Sequence, residues 1–340
     1  MPPPSAQPPE KPAAKQGYWR LVWRQFRRNP LAMAALVVLV LLVLVALFAP
    51  FLAGDRPIYM VKDGKTYVIP NLISYRDLAD VDFSSWEPGE GERALRPLIS
   101  YAPERSDLLR KLEAPSSDHL LGTDDRGRDV LSRMIWGTRI SMSVGFVAAG
   151  LAILIGIVIG ALAGYYAGWV DVVALRLIEI MLCFPTFILI LILIAFLPPS
   201  IYNIMIVLGI TGWTGAARLV RGEFLKLRES DFVTAARATG LRNTRIIFRH
   251  VLPNALSPVF VTATFGVAGA ILTESALSFL GFGVQAPTSS WGELLSQSQR
   301  YVYFAWWLVM FPGAAIFITV TAFNLVGDGL RDAMDPRMRQ

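Results

Sequence analysis

A single cysteine, Cys183, occurs in the 340 residues. That excludes an internal disulfide and any cysteine-based metal cluster. Lying inside an apolar stretch, Cys183 reads as a small packing residue. Histidine is almost as scarce: His119 and His250 are far apart and offer no metal-ligand spacing. Charged residues make up only 17% of the chain, against roughly 25% in a soluble domain. No G-x-x-x-x-G-K-[ST] phosphate loop, H-E-x-x-H pair or Cys-x-x-Cys pair is present. No serine, histidine and aspartate stand in an arrangement with a pocket argument behind it. The chain therefore reads as a non-enzyme that binds no cofactor or metal of its own and does not itself hydrolyse ATP.

What it has in excess is oil. Hydrophobic residues reach 54% and the mean hydropathy is +0.48. Apolar runs of about 20 residues recur, long enough to cross a bilayer core of roughly 30 Å as helix. The alternating ten-residue segments of a membrane β-barrel do not occur. The fold expected is an all-α polytopic membrane protein. Its net charge of +6 points to no nucleic acid, because polytopic proteins gather Lys and Arg in their inner segments.

The apolar stretches lie at about 31–52, 140–167, 171–197, 200–220, 255–282 and 303–327. Six spans put both termini on one side. The first is too long for the h-region of a secretory signal and reads as an uncleaved anchor. Counting Lys and Arg puts that side inside. The segment after residue 54 is also rich in arginine, but it is long and carries matching acids such as Asp118, Asp124, Asp125 and Asp129.

The expected layout follows. A tail and an amphipathic helix occupy 1–28, with the Pro-rich start disordered and "YWRLVWRQFRR" lying on the inner leaflet. A first span covers 29–53, and an extracytoplasmic insert covers 54–118. Within it, "IYMVKDGKTYVIP" reads as a hairpin turning at Asp63-Gly64. An amphipathic surface helix, N-capped by Thr123 or Asp124, covers 119–139. A core of five spans covers 140–330 and carries a cytoplasmic loop over 221–254. A short cytoplasmic tail covers 331–340.

Several residues stand out as candidates. Gly156, Gly160, Gly164 and Gly168 are four apart and predict close approach of another helix. Pro185, Pro258 and Pro312 predict bends in their spans. Arg176 and Glu179 share a helix face and read as a structural pair. Glu274, beside Ser275 and Ser278, has two roles open to it: lining a passage or bonding a neighbouring helix. The loop holds "TAARATGLRNTRIIFRHVLPN", with Arg237, Arg242, Arg245 and Arg249 and no acid. A short helix is expected over 231–239, with Asp231 as N-cap and Gly240 as the C′ residue. Ala235 and Ala236 give it a smooth face suited to a groove on a partner.

Here the chain resembles the permeases of ABC importers, whose motif is E-A-A-x-x-x-G followed by I-x-L-P or a close variant. The matching residues are Ala235, Ala236 and Gly240, then Val251-Leu252-Pro253. "HLLGTDDRGRDVLSRMIWGTRIS" (119–141), "TESALSFLGFGVQAPTSSWGELL" (273–295) and "GDGLRDAMDPR" (327–337) are similar to the C-type permeases of dipeptide, oligopeptide and nickel importers. The resemblance covers about 18–53 and 118–337. Thr234 departs from it, standing where the motif has Glu, so that docking leans on shape and on Arg237.

The resemblance implies a type I ABC importer permease fold in the bacterial inner membrane. It also implies that the loop helix couples to two separate ATPase subunits that use ATP and Mg. Further implied partners are a homologous B-type permease and an extracytoplasmic solute-binding protein that delivers a peptide or peptide-like solute, with nickel or another small solute as the alternative. A self-contained secondary transporter would need paired internal repeats and membrane-embedded charges, and neither is evident. A membrane scaffold would have no use for the Ala-Ala-x-x-x-Gly geometry before a span.

Overall fold

The computed structural model describes residues 18–335, except 84, 85, 87 and 90. The Pro-rich start read as disordered and the last residues, 336–340, lie outside the described residues. The chain opens with α1 (Tyr18–Phe26), which turns into α2 (Pro30–Leu52). Asn29 makes that corner: its side chain accepts from the Ala32 N–H at 3.1 Å, and Pro30 follows at the first helical position.

The insert begins with β1 (Tyr59–Lys62) and β2 (Lys65–Val68), the expected hairpin. Asp63 and Gly64 turn it with φ of 51° and 70°, the positive values a two-residue type I′ turn requires. A third strand, β3 (Arg93–Leu95), pairs antiparallel on the far side of β1. Alternation sends Met60 and Tyr67 inward against Leu78 and Phe83, giving the insert a small core of its own.

Helix α3 (Val130–Tyr166) runs 37 residues without a break, about 55 Å at 1.5 Å per residue. The separate surface helix expected over 119–139 is therefore a turn-rich stretch followed by the first turns of α3. Its N-cap is Asp129, which accepts from the Ser132 N–H at 2.7 Å, and not Thr123 or Asp124. Those two are engaged elsewhere. Asp124 accepts from the backbone N–H groups of Arg126 and Arg128 at 2.8 and 3.0 Å, and the Thr123 carbonyl accepts from the Trp307 indole at 3.0 Å.

The stretch read as one span at 171–197 is two helices, α4 (Gly168–Leu182) and α5 (Thr186–Ala195), bent by 79°. Pro185 sits at the break, where its missing N–H and its constraint on the preceding residue end a helix. Pro258 and Pro312 behave differently, since the helices that contain them continue through both. Next come α6 (Ile201–Thr211) and α7 (Trp213–Leu227), which together make one span. Then follow α8 (Asp231–Ala238), α9 (Asn243–Ile246), a π-helical turn at Ile247–Val251, α10 (Leu252–Phe279), α11 (Trp291–Ser298) and α12 (Trp307–Met334). Five helical stretches are long and apolar enough to cross a membrane, six with the bent pair counted as one.

Helix α3 is the spine. Gly156, Gly160 and Gly164 meet α7 so closely that a Cβ on each would fall 2.5–2.6 Å from Ala216, Ala217 or Phe224. Gly168 is not part of this stripe. It begins α4 at φ +54° with nothing near a would-be Cβ, because the helix has already ended at Tyr166. At one end of the bundle, Val22 and Phe26 of α1 pack with Ala32 and with Ala333 of α12, so the described termini lie together. At the other end, the Trp136 indole donates to the Ala53 carbonyl at 2.9 Å, tying the insert to α3.

Candidate functional site

Helix α8 is mounted on the bundle end that holds α1 and the end of α12. Ser230, not Asp231, is its N-cap residue. Asp231 is the first helical residue, where a carboxylate suits the positive end of the helix dipole. The helix closes as its sequence suggests. Gly240 takes φ +75°, its N–H donates to the Arg237 carbonyl at 2.9 Å, and that of Leu241 donates to Ala236 at 3.3 Å. This is the Schellman arrangement, in which glycine is favoured at C′.

Val233 and Ala236, three apart, face inward. They join a core with Tyr165, Phe224, Ile246 and Val251. Ala235 and Ala236 therefore do not share one smooth face, because adjacent helical residues point about 100° apart. Ala236 is buried, while Ala235 stands outward with Thr234 and Arg237. Phe232 adds an exposed ring beside them. The Arg237 guanidinium lies 5.3 Å from the centre of the Tyr165 ring. The Tyr165 hydroxyl in turn donates to Asn243 Oδ1 at 2.8 Å. Among the described residues, none of Arg237, Arg242, Arg245 and Arg249 forms an ion pair.

Pro253 is exposed at the start of α10. An ordinary helical turn would press its ring against the carbonyl four residues back. The chain widens instead: the Leu252 N–H donates to the Ile247 carbonyl, five residues back, a π turn of the kind found at functional sites. Val251 and Ala255, just after it, belong to the same core as Val233 and Ala236.

Deeper in the bundle, α3, α5, α6, α7 and α10 surround a cavity of about 240 Å³. Its walls include Thr186, Gly215, Thr262, Gly266, Gly269 and Thr273, and no charged side chain lines it. A Cβ on Gly215 or Gly269 would meet nothing within 4 Å. Thr262 and Thr273 spend their hydroxyl protons on the carbonyls four residues back, at 3.1 and 2.7 Å. The surface is small, smooth and poor in free donors.

Glu274 does not reach this cavity. It is fully buried, and its Oε1 accepts from Ser278 at 2.7 Å and Ser290 at 3.0 Å. Ser290 is the N-cap of α11, accepting from the Glu293 N–H at 3.1 Å. Of the two roles open to Glu274, bonding a neighbouring element is the one its contacts fill. Ser275 is buried too and donates to the Ile271 carbonyl at 2.8 Å. Gly156, Gly160 and Gly164 are helix-packing positions. Two ionisable pairs within the helices neutralise each other: Arg176 with Glu179 at 2.6 Å, and Arg221 Nη2 with Asp171 at 2.7 Å.

One cluster escaped the sequence reading. At the insert end, Arg133 is fully buried and pairs with Asp124, with Glu293 at 2.5 Å, with Gln297 at 2.9 Å and with Ser289 at 3.1 Å. Arg128 Nε reaches Asp124 at 2.7 Å, and His119 Nδ1 lies 2.9 Å from Asp129. Burial raises the Glu293 carboxyl above its ordinary range, while Arg133 and Arg128 pull it down. The signal available was the pairing of a charge-dense segment, 118–129, with a lone acid in "SSWGELL". Among the described residues, no group of three or more His, Cys, Asp or Glu could hold a metal ion.

Comparison with known proteins bears on all of this. A family model described as "Binding-protein-dependent transport system inner membrane component" matches residues 156–340. Another, "N-terminal TM domain of oligopeptide transport permease C", matches 17–66. The chain is 38% identical over 338 residues to the dipeptide transport system permease protein DppC of Alkalihalophilus pseudofirmus, covering 99% of this chain and 96% of that protein. It is 40% identical over 245 residues to the oligopeptide transport system permease protein OppC of Bacillus subtilis, covering 72% and 80%. The glutathione transport system permease protein GsiD of Pectobacterium atrosepticum is 40% identical over 233 residues, covering 68% and 77%. Among solved structures, an inward-facing form of the MetNI methionine ABC transporter aligns with a TM-score of 0.49 at 20% identity, covering 60% of this chain and 96% of that one.

Proposed function

The chain belongs to the family of binding-protein-dependent transport system inner membrane components, and on that premise we propose that it forms, with a homologous permease, the path by which peptides or peptide-like solutes enter the cell. It is the membrane-spanning subunit of an ABC importer and not an enzyme; the ATPase is a separate chain. Helix α8 docks into two such ATPases' assembly, and ATP and Mg act there. Thr234, Ala235 and Arg237 make the contact. Ala236, Gly240 and Pro253 hold the contact surface in place, and Asp231 starts the helix. The observation that carries this reading is the outward face of α8 and the segment after it: small at Ala235, bearing Arg237 and then Arg242, Arg245 and Arg249, which no described carboxylate answers, and mounted on the core shared by α3, α7 and α10.

The cavity lined by Gly215, Gly269 and the threonines is this chain's share of the passage. Its lack of charge suits a solute whose side chains vary, since it selects by width and not by sign. Recognition of the solute then rests with an extracytoplasmic binding protein, which meets the insert over 54–118. The end that holds α1 and α8 faces the cytoplasm, a reading its excess of arginine supports under the positive-inside rule.

The test is co-purification. Ala235 is exposed and its backbone is ordinary helix, so Ala235→Arg leaves the fold alone. Gly240→Arg would also act, but it adds strain at φ +75°. Ala235→Arg is expected to reach the membrane in normal amount and to lose its ATPase subunits. Full recovery of those subunits with the variant would overturn the docking role of α8.

A further inference from the structure

Helix α1 and the corner after it carry a groove of about 480 Å³ lined by Arg20, Trp23, Arg24, Arg27 and Arg28. That volume lies within the range of small-molecule sites, about 300–1,000 Å³. Among the described residues, none of these four arginines forms an ion pair. Four guanidinium groups within nine residues repel one another, and among the described residues no carboxylate pairs with them. The positive end of the α2 dipole, starting at Pro30, adds to the same field. Among the described residues nothing supplies the opposite charge.

What the groove borders decides the source of that charge. Val22 and Phe26 anchor α1 to α12, which leaves Trp19 and Trp23, one turn apart, about half exposed. Trp19 meets Phe260 of α10 edge-on at 5.6 Å, so α1 is held across the ends of two spans. Tryptophan at the end of a span marks the headgroup level of the bilayer. Arginine is the residue that grips phosphate oxygens in pairs. We propose that this groove binds the phosphate headgroup of an anionic membrane phospholipid, whose acyl chains lie along Trp19 and Trp23.

The experiment uses the full chain in its native assembly, extracted in mild detergent, with native mass spectrometry to count bound lipid. Phosphatidylglycerol and phosphatidylcholine are offered in equal amounts. The unaltered assembly is expected to retain phosphatidylglycerol in clear preference. Arg20→Gln with Arg24→Gln should lower that retention about 30-fold, at about fivefold for each basic residue beside an anionic surface. Arg331→Gln, on α12 outside the groove, should change nothing. Equal retention of the two lipids by the unaltered assembly overturns the proposal, whatever the variants do. So does displacement of the lipid by millimolar inorganic phosphate, which would make the groove a free-anion site. A double variant that keeps its phosphatidylglycerol overturns it as well.

Discussion

At one end of the bundle Arg133 is buried and met by Asp124, Glu293, Gln297 and Ser289; at the other, Arg237, Arg242, Arg245 and Arg249 stand unanswered by any described carboxylate. The residue type is the same and the consequences are opposite. A guanidinium taken out of water costs several kcal/mol, which only good geometry and full hydrogen bonding offset. Arg133 has both, so its energy is spent inside the fold, locking α11 to α3. The loop arginines keep their water and their charge, so their interaction energy remains available to a partner. Pairing, more than arginine content, separates a structural end from a docking end.

The sharpest break in that comparison is Arg133→Gln. It leaves Asp124 and Glu293 buried without their shared cation. Removing one member of a buried pair costs about 3–5 kcal/mol. The purified variant should unfold at much lower temperature or denaturant concentration, and less of it should accumulate in membranes. Adding Glu293→Gln should recover part of the loss, since the two changes touch one network. A single variant that melts like the unaltered protein would mean that the cluster contributes little and the contrast fails.

This is also where the sequence was hardest to read. Hydropathy marks the spans because a bilayer imposes one length and one chemistry on each. The hairpin at Asp63-Gly64 and the cap at Gly240 were legible because positive φ leaves a local trace. Arg133 falls in the stretch whose sequence reads as an amphipathic surface helix, and its partner Glu293 lies 160 residues away. Nothing local distinguishes a charge bound for solvent from one bound for a distant acid. Glu274 posed the same problem: it bonds Ser290, 16 residues on, and neither neighbour in sequence hints at that partner. The cavity could not be read at all, because five helices build it and each contributes only one to several small residues.

A middle-sized effect tests the glycines along the same axis. A Cβ on Gly160 would fall 2.5 Å from the Ala217 carbonyl oxygen, whereas one on Gly215 would meet nothing within 4 Å. Gly160→Leu should destabilise by about 1–3 kcal/mol through overpacking. Gly215→Ala should not destabilise at all, since alanine is the better helix former, and its effect should appear only in uptake. If the two variants melt alike, the close α3–α7 approach is not a feature of the folded chain, and the division between packing and passage glycines collapses.

The smallest expected change in stability is at Arg237, and that is its value. Its side chain meets the Tyr165 ring, and an exposed cation–π contact contributes about 0.5–1 kcal/mol. Arg237→Ala should therefore shift melting by little, while Val233 and Ala236 keep α8 in its seat. Binding of the ATPase subunits should weaken far more than the fold does, and the weakening should shrink as salt is raised, because salt already screens what the mutation removes. Arg133→Gln should show the reverse pattern: a large loss of stability, with a salt dependence muted by burial. Should Arg237→Ala melt as badly as Arg133→Gln, or bind ATPase undiminished at low salt, the loop arginine would be structural after all. The two ends of the molecule would then differ in exposure but not in purpose.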